Sequence, residues 1–242
     1  MPLANTAQIV RAAQAGGYAV GGFEPYTLEQ IQATIEAAEA ECAPVIIQLW
    51  PEVVTTWGIP ALAAVVRELG ARAYVPVALH LDHATDDEMI DHALASGFTS
   101  VMFDGSTLPF EENIVRTRSV VQRAREFGAA VEAELGLIGF LGDYPTPKEA
   151  MEAARKLLTT PEQAATFVRE TRIDILAPAI GSIHGCPLPM AELDIPRIRA
   201  IAQATRVPLA LHGGSGVGEK MVKAAIQAGI AKVNIDAEVR GV

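Results

Sequence analysis

Eight short apolar runs recur along this chain, and all but the last are followed by a stretch of helical character. The runs are Tyr18–Phe23, Pro44–Leu49, Val77–Leu81, Ser100–Phe103, Ala130–Leu135, Asp174–Ile180, Pro208–Leu211 and Lys232–Ile235. They are rich in Val, Ile, Leu and Ala, the pattern of parallel strands buried on both faces. Helices are predicted over Thr6–Ala15, Leu28–Glu41, Ile59–Leu69, Asp86–Ala95, Pro109–Phe127, Pro161–Thr171, Ile195–Ala204 and Glu219–Ala228. Eight strands in strict alternation with helices predict an α/β fold of the (β/α)8 TIM-barrel type, occupying residues 1–242 as one domain. A doubly wound sheet would call for a glycine fingerprint after the first strand, and Gly21-Gly22-Phe23-Glu24 is not one. Two irregularities stand out. A long polar segment, Gly136–Thr160, interrupts the rhythm, and no helix pattern follows strand eight before Val242. The barrel is therefore expected to lack its final helix, with cover for strand eight coming from another subunit or from further chain.

Composition narrows the functions. Half of the 242 residues are hydrophobic, enough for a sizeable core, and the formal net charge of -10 argues against nucleic acid or an anionic membrane surface as partner. No apolar run approaches the length of a membrane span. Cys42 and Cys186 are far apart, form no CxxC pair and follow no signal sequence, so a reduced, cytoplasmic setting is expected. Cys186, although close to His184, reads as a small inert filler.

Three of the five histidines stand at the ends of apolar runs: His83, His184 and His212. In a barrel the strands' carboxyl ends share one face, so these imidazoles come from loops three, six and seven toward a common mouth. Three imidazoles with a fourth position open suit a catalytic zinc that polarises a carbonyl. Asp82 reaches the same mouth if strand three finishes at Leu81 and the chain turns there. Glu132 and Glu134 alternate within one strand and so face one side, where a carboxylate can satisfy a neighbouring histidine. Gly213-Gly214-Ser215-Gly216 and Asn234-Ile235-Asp236 end strands seven and eight, the place where many barrels bind phosphate.

The runs His80-Leu81-Asp82-His83, Ser100-Val101-Met102-Phe103-Asp104-Gly105-Ser106, Val131-Glu132-Ala133-Glu134-Leu135-Gly136, Ile180-Gly181-Ser182-Ile183-His184-Gly185, Leu211-His212-Gly213-Gly214-Ser215-Gly216 and Lys232-Val233-Asn234-Ile235-Asp236 occur in this order. Together they resemble the successive motifs of the class II ketose-bisphosphate aldolases, the fructose- and tagatose-bisphosphate enzymes. The resemblance implies a zinc-dependent lyase that cleaves or forms a ketose bisphosphate through a metal-stabilised enediolate of dihydroxyacetone phosphate. It implies Zn2+ on His83, His184 and His212, with Glu134 as an alternative ligand, and Asp82 as the acid that protonates the new hydroxyl. Asp104 and Ser106 would orient a histidine. Gly185, Gly213, Ser215, Asn234 and Asp236 would hold the dihydroxyacetone phosphate half, with a monovalent cation, Na+ or K+, near the same loops. The family habit and the uncovered strand eight imply a homo-oligomer.

Three positions depart from that family. The loop glutamate that shuttles the substrate proton is expected within Gly139-Phe140-Leu141-Gly142-Asp143, which is mostly apolar. Ala237 replaces a Thr or Ser, and Glu24-Pro25 replaces an asparagine, adding a carboxylate at the mouth. With Trp50 and Trp57 in the second loop, these changes imply an altered substrate. The alternative is a non-catalytic metal-binding relative acting as a subunit or regulator.

Overall fold

A strand buried on both faces must place apolar side chains outward against helices and inward toward the strands opposite, and the eight runs do both. A computed structural model describes residues 3–186 and 191–241. The chain runs α1 (Thr6–Gly16), β1 (Val20–Phe23), α2 (Leu28–Ala40), β2 (Val45–Leu49), α3 (Pro51–Trp57), α4 (Ile59–Arg72), β3 (Val77–Ala84), α5 (Asp87–Ala95), β4 (Ser100–Phe103) and α6 (Phe110–Glu126). It continues with β5 (Ala130–Leu135), α7 (Pro147–Ala154), α8 (Pro161–Thr171), β6 (Ile175–Pro178), α9 (Ile195–Thr205), β7 (Leu209–Leu211), α10 (Glu219–Ala228), β8 (Ile230–Ile235) and α11 (Ala237–Arg240). All neighbouring strands are parallel, and β1 pairs with both β2 and β8, so the sheet closes into an eight-stranded barrel. This is the TIM-barrel fold that the alternation predicts. Among the described residues no single helix is long and apolar enough to cross a membrane.

The interior divides into an apolar floor and a polar mouth. Val20, Ile46, Ala78, Ile175, Ala177, Ala210 and Ala231 fill the floor. The first helix closes it from below with Val10 and Ala13, both fully buried, the valine contributing about 1.5–3 kcal/mol. α1 is held there by its Asn5 cap, which accepts from the Gln8 N–H and donates from Nδ2 to the Gly128 carbonyl. Above the floor the inward positions turn polar: Gln48, His80, Asp82, Ser100, Glu132, Glu134, Lys232 and Asn234 are all buried.

Several expectations need correction. The Gly136–Thr160 segment contains the helix α7, started by the Thr146 side chain accepting from the Glu149 N–H, and α3 precedes α4 after a proline at its first turn. Past strand eight, where no helix is expected, one turn forms as α11, closed by an Arg240–Asp236 ion pair of 2.8 Å across one turn. Strand three does not stop at Leu81. It runs to Ala84, and three steps along β3 (Leu81 to Ala84) match two along β4 (Val101 to Phe103), which is a β-bulge. His83 takes the left-handed conformation there, at φ +46°. The bulge, rather than a turn, lets Asp82 and its neighbour His83 both reach the mouth.

Candidate metal centre and cleft

The three strand-end histidines meet. His83 Nε2 lies 3.0 Å from His212 Nδ1, and His184 Nε2 lies 3.3 Å from the same atom. Each outward nitrogen is already engaged. His83 Nδ1 donates to Asp104 Oδ2 at 2.8 Å, His184 Nδ1 donates to the Ile138 carbonyl at 3.0 Å, and His212 Nε2 donates to Glu132 Oε1 at 2.7 Å. Those three acceptors fix the tautomers, so three lone pairs point at one another across a dry space. Ligands about 2.0–2.1 Å from a tetrahedral zinc are spaced about 3.3 Å apart, which the observed nitrogens approach. Glu134 completes the group: its Oε2 is 3.8 Å from His212 Nδ1, buried, and without a hydrogen-bond partner. One ligand atom from each of the four residues falls within 4.8 Å of the others. The donor set therefore fits a divalent metal.

Electrostatics agree with a site that demands positive charge. Burial opposes a proton on His83, but Asp82, the Asp104 hydrogen bond and Glu134 outweigh it and push its pKa up to about 10. Burial, with His83 and His212 beside it, drives His184 well below the usual imidazole range. Burial and Asp104 raise the Glu134 carboxyl well above its ordinary value.

Asp82 sits beside this group, its Oδ2 3.8 Å from His83 Nε2. Asn234 Nδ2 and Gln48 Nε2 donate to that oxygen at 3.2 and 3.4 Å, while Oδ1 faces His80 Nε2 at 3.2 Å. Burial works to raise its pKa, and His83, His80 and Lys232 override that to hold the carboxyl well below the usual range. One layer deeper, His80, Asp82 and Glu132 form a second acidic cluster. Its cation is built in: Lys232 Nζ, fully buried, lies 2.8 Å from Glu132 Oε2. Nothing in the sequence signals Lys232, because it is a single lysine in an apolar run whose partner is a hundred residues away. Ser106 donates its N–H to Asp104 Oδ1 at 3.1 Å.

A cleft opens next to His184, lined among others by Glu24, Trp50, Gly185, Gly213, Ser215, Asn234 and Asp236. Gly213 is at φ +62°, and a Cβ there would run into the Ile183 carbonyl oxygen. Ser215 Oγ accepts the Asp236 and Ala237 N–H groups at 3.3 and 3.1 Å, leaving its own proton to donate. The Asp236 carboxylate is turned aside, accepting from Tyr26 Oη at 2.7 Å and from Arg240. Three polar atoms of the lining, Glu24 Oε2, Trp50 Nε1 and Asn234 Oδ1, are buried and unpartnered, which a polar ligand would remedy. Burial, Asp82 and Asp236 raise the Glu24 carboxyl well above its ordinary range.

Aromatic rings wall the metal-type cluster. Phe140 stacks on His184 at 4.7 Å and 25°, and Trp50 lies 5.3 Å from the His83 ring and 5.6 Å from Phe140. Phe140 is held by pairing between its strand-like segment and His184: the Leu141 N–H donates to the His184 carbonyl and the His184 N–H to that of Gly139. Asp143 is exposed, and Trp57, half exposed at the end of α3, is not part of the cleft lining.

Known proteins share this arrangement of chain. The sequence pattern of the family Fructose-bisphosphate aldolase class-II matches residues 4–242. The solved structure of the YdjI aldolase from Escherichia coli K12 is 34% identical, with 98% of this chain and 82% of that chain covered at a TM-score of 0.86. A Coccidioides immitis protein provisionally assigned as a fructose-1,6-bisphosphate aldolase is 34% identical, covering 98% and 83% at 0.87. Fructose-bisphosphate aldolase from Campylobacter jejuni is 26% identical, covering 97% and 76% at 0.81.

Proposed function

Because the chain belongs to the class II fructose-bisphosphate aldolase family, we propose that it is a zinc-dependent aldolase that reversibly cleaves a ketose phosphate into dihydroxyacetone phosphate and an aldehyde. The observation that supports this most is the trio of buried imidazole nitrogens, two of them 3.0 and 3.3 Å from the third, beside the unpartnered Glu134 Oε2. His83, His184 and His212 are the proposed ligands, and Glu134 an alternative one. Bound there, zinc supplies the Lewis acidity that polarises a substrate carbonyl and offsets charge on the enolate.

The chain's own groups do the rest. Asp82, steadied as a carboxylate by Asn234 and Gln48, is the proposed acid-base group: it takes the hydroxyl proton in cleavage, and in condensation the acid so formed gives it to the aldehyde oxygen. Asp104, with Ser106 behind it, keeps the His83 ring in place. The Gly213 turn, Gly185 and the Ser215 hydroxyl take the phosphate, Asn234 and Asp236 complete the donor-half pocket, and a sodium or potassium ion accompanies it. Glu24 and Trp50 bring a buried carboxyl and an indole N–H to the cleft, so the substrate is taken to differ from fructose or tagatose bisphosphate. A cytoplasmic homo-oligomer is the accompanying proposal.

One observation favours a second reading, a non-catalytic metal-binding relative: Phe140, not a carboxylate, covers His184. Metal content and deuterium exchange from solvent into dihydroxyacetone phosphate, with and without a chelator, decide between them. Zinc-dependent exchange establishes the aldolase, zinc without exchange favours the second reading, and failure to bind zinc sinks both.

A further inference from the structure

His80 belongs to the motif that supplies Asp82 and His83, yet it is not among the proposed ligands and does not line the cleft. It is fully buried, one layer below the mouth, opposite Ser100 in the β3–β4 register. Its Nδ1 is 2.7 Å from Ser100 Oγ, and Ser100 Oγ in turn donates to Thr6 Oγ1 at 2.8 Å. Thr6 opens α1, the helix that closes the barrel floor, and its hydroxyl is 3.0 Å from Thr99 Oγ1. Thr99 is fixed by backbone: its Oγ1 accepts from the Leu79 N–H and donates to the Leu79 carbonyl, both at 2.9 Å. At the other end His80 Nε2 meets Asp82 Oδ1 at 3.2 Å.

We propose that this buried chain, Thr6–Ser100–His80, is a positioning device that ties α1 to the carboxyl of Asp82. Because Thr99 donates to the Leu79 carbonyl, Thr6 donates to Thr99, Ser100 to Thr6 and His80, from Nδ1, to Ser100, which leaves the His80 Nε2 lone pair facing Asp82 Oδ1. Asp82 Oδ2 is held from above by Asn234 and Gln48, and when Asp82 carries its proton Oδ1 donates it to His80 Nε2 below, so the acid form is fixed from both sides. A fully buried Thr, Ser and His in series need one another as partners, because each left alone would strand a polar atom in the core. The cluster is not a second metal site, since Lys232 already neutralises Glu132. The proposal rests on the aldolase reading, in which Asp82 serves the aldehyde half alone.

That division gives the test. Thr6→Val keeps the shape of the side chain and removes the link, and Thr6→Ser restores it. Two rates are read on zinc-loaded protein: solvent exchange into dihydroxyacetone phosphate, and its condensation with glyceraldehyde 3-phosphate, lactaldehyde and glycolaldehyde. Thr6→Val should lower the condensation kcat about tenfold, a part of what a positioned acid contributes, with KM, zinc content and exchange unchanged. Thr6→Ser should recover it. Equal loss of exchange and condensation, or no loss in either, overturns the proposal while leaving the aldolase reading intact. A parent chain that does not exchange defeats the aldolase reading itself. The protected His80 ring N–H resonance gives a second measurement: Ser100→Ala should move it, and an unmoved signal counts against the chain.

Discussion

Two layers of carboxylates and imidazoles lie one above the other in this barrel, built from the same residue types, with β3 and β5 contributing to both. In the lower one, His80, Asp82 and Glu132 surround a charge the fold provides, the ammonium of Lys232. In the upper one, His83, Glu134, His184 and His212 turn ring nitrogens and an unpartnered oxygen toward each other, and among the described residues no lysine or arginine pairs with them, so that without a metal the positive charge is a proton on His83. A buried carboxylate needs a positive partner in either case. The lower layer meets that need at Glu132 with a side chain of the fold itself, and only Asp82 at its upper edge reaches the mouth. The upper layer leaves it to something that binds, and becomes a site.

The largest test of the comparison removes a ligand from the upper layer. His212→Ala should abolish tight zinc binding and lower exchange into dihydroxyacetone phosphate by orders of magnitude, read by metal analysis and mass spectrometry. Retention of full activity would take the metal out of the mechanism. The matching cut in the lower layer is Lys232→Met, which strands Glu132 in the core and should cost about 3–5 kcal/mol in urea unfolding. The double variant Lys232→Met with Glu132→Gln should recover much of that loss, because both charges are then gone. If Lys232→Met were as stable as the parent, the lower layer would not be held by its built-in cation.

Acidity sharpens the contrast further. In metal-free protein the folded-state pKa of His83 is raised from 6.5 to about 10 by Asp82, Asp104 and Glu134. A raised pKa contributes stability that is fully present below pH 6.5 and is lost as pH climbs toward 10. Metal-free protein should therefore lose stability across that window in thermal melts, whereas zinc-loaded protein, with the proton displaced, should not. Identical profiles for the two forms would mean that proton and metal do not compete for His83.

The alternation of apolar runs and helices made the barrel legible, because strands buried on both faces leave a continuous apolar signature that needs no partner to be read. The strand-end histidines were legible for the same reason. What stayed hidden depends on contacts distant in sequence or on backbone detail. Lys232 looks like an interruption of strand eight until Glu132 is seen across the barrel. The extension of β3 to Ala84 depends on a bulge at His83, a residue with no local preference for positive φ strong enough to announce it. The Thr6–Ser100–His80 series joins three elements whose residues look ordinary singly.

The smallest expected effect concerns the roof over the upper layer, where Phe140 and Leu141 stand in a loop from which a proton-shuttling carboxylate was expected. Only one of the two covers the cluster: Phe140 stacks on His184, while Leu141 packs against the core. A carboxylate introduced by Phe140→Glu would stand next to the cluster, and one introduced by Leu141→Glu would be forced into apolar surroundings. Phe140→Glu should raise exchange into dihydroxyacetone phosphate a few-fold, well short of the roughly hundredfold of a positioned base, because the new carboxylate has no partner to aim it and the ring stacking is lost. Leu141→Glu should leave exchange unchanged and lower stability by about 0.5–1 kcal/mol, through the packing that the half-buried leucine loses. A gain at Leu141 and none at Phe140 would mean that the loop moves on binding, so that the open layer is closed in the working enzyme by a different face of the same segment.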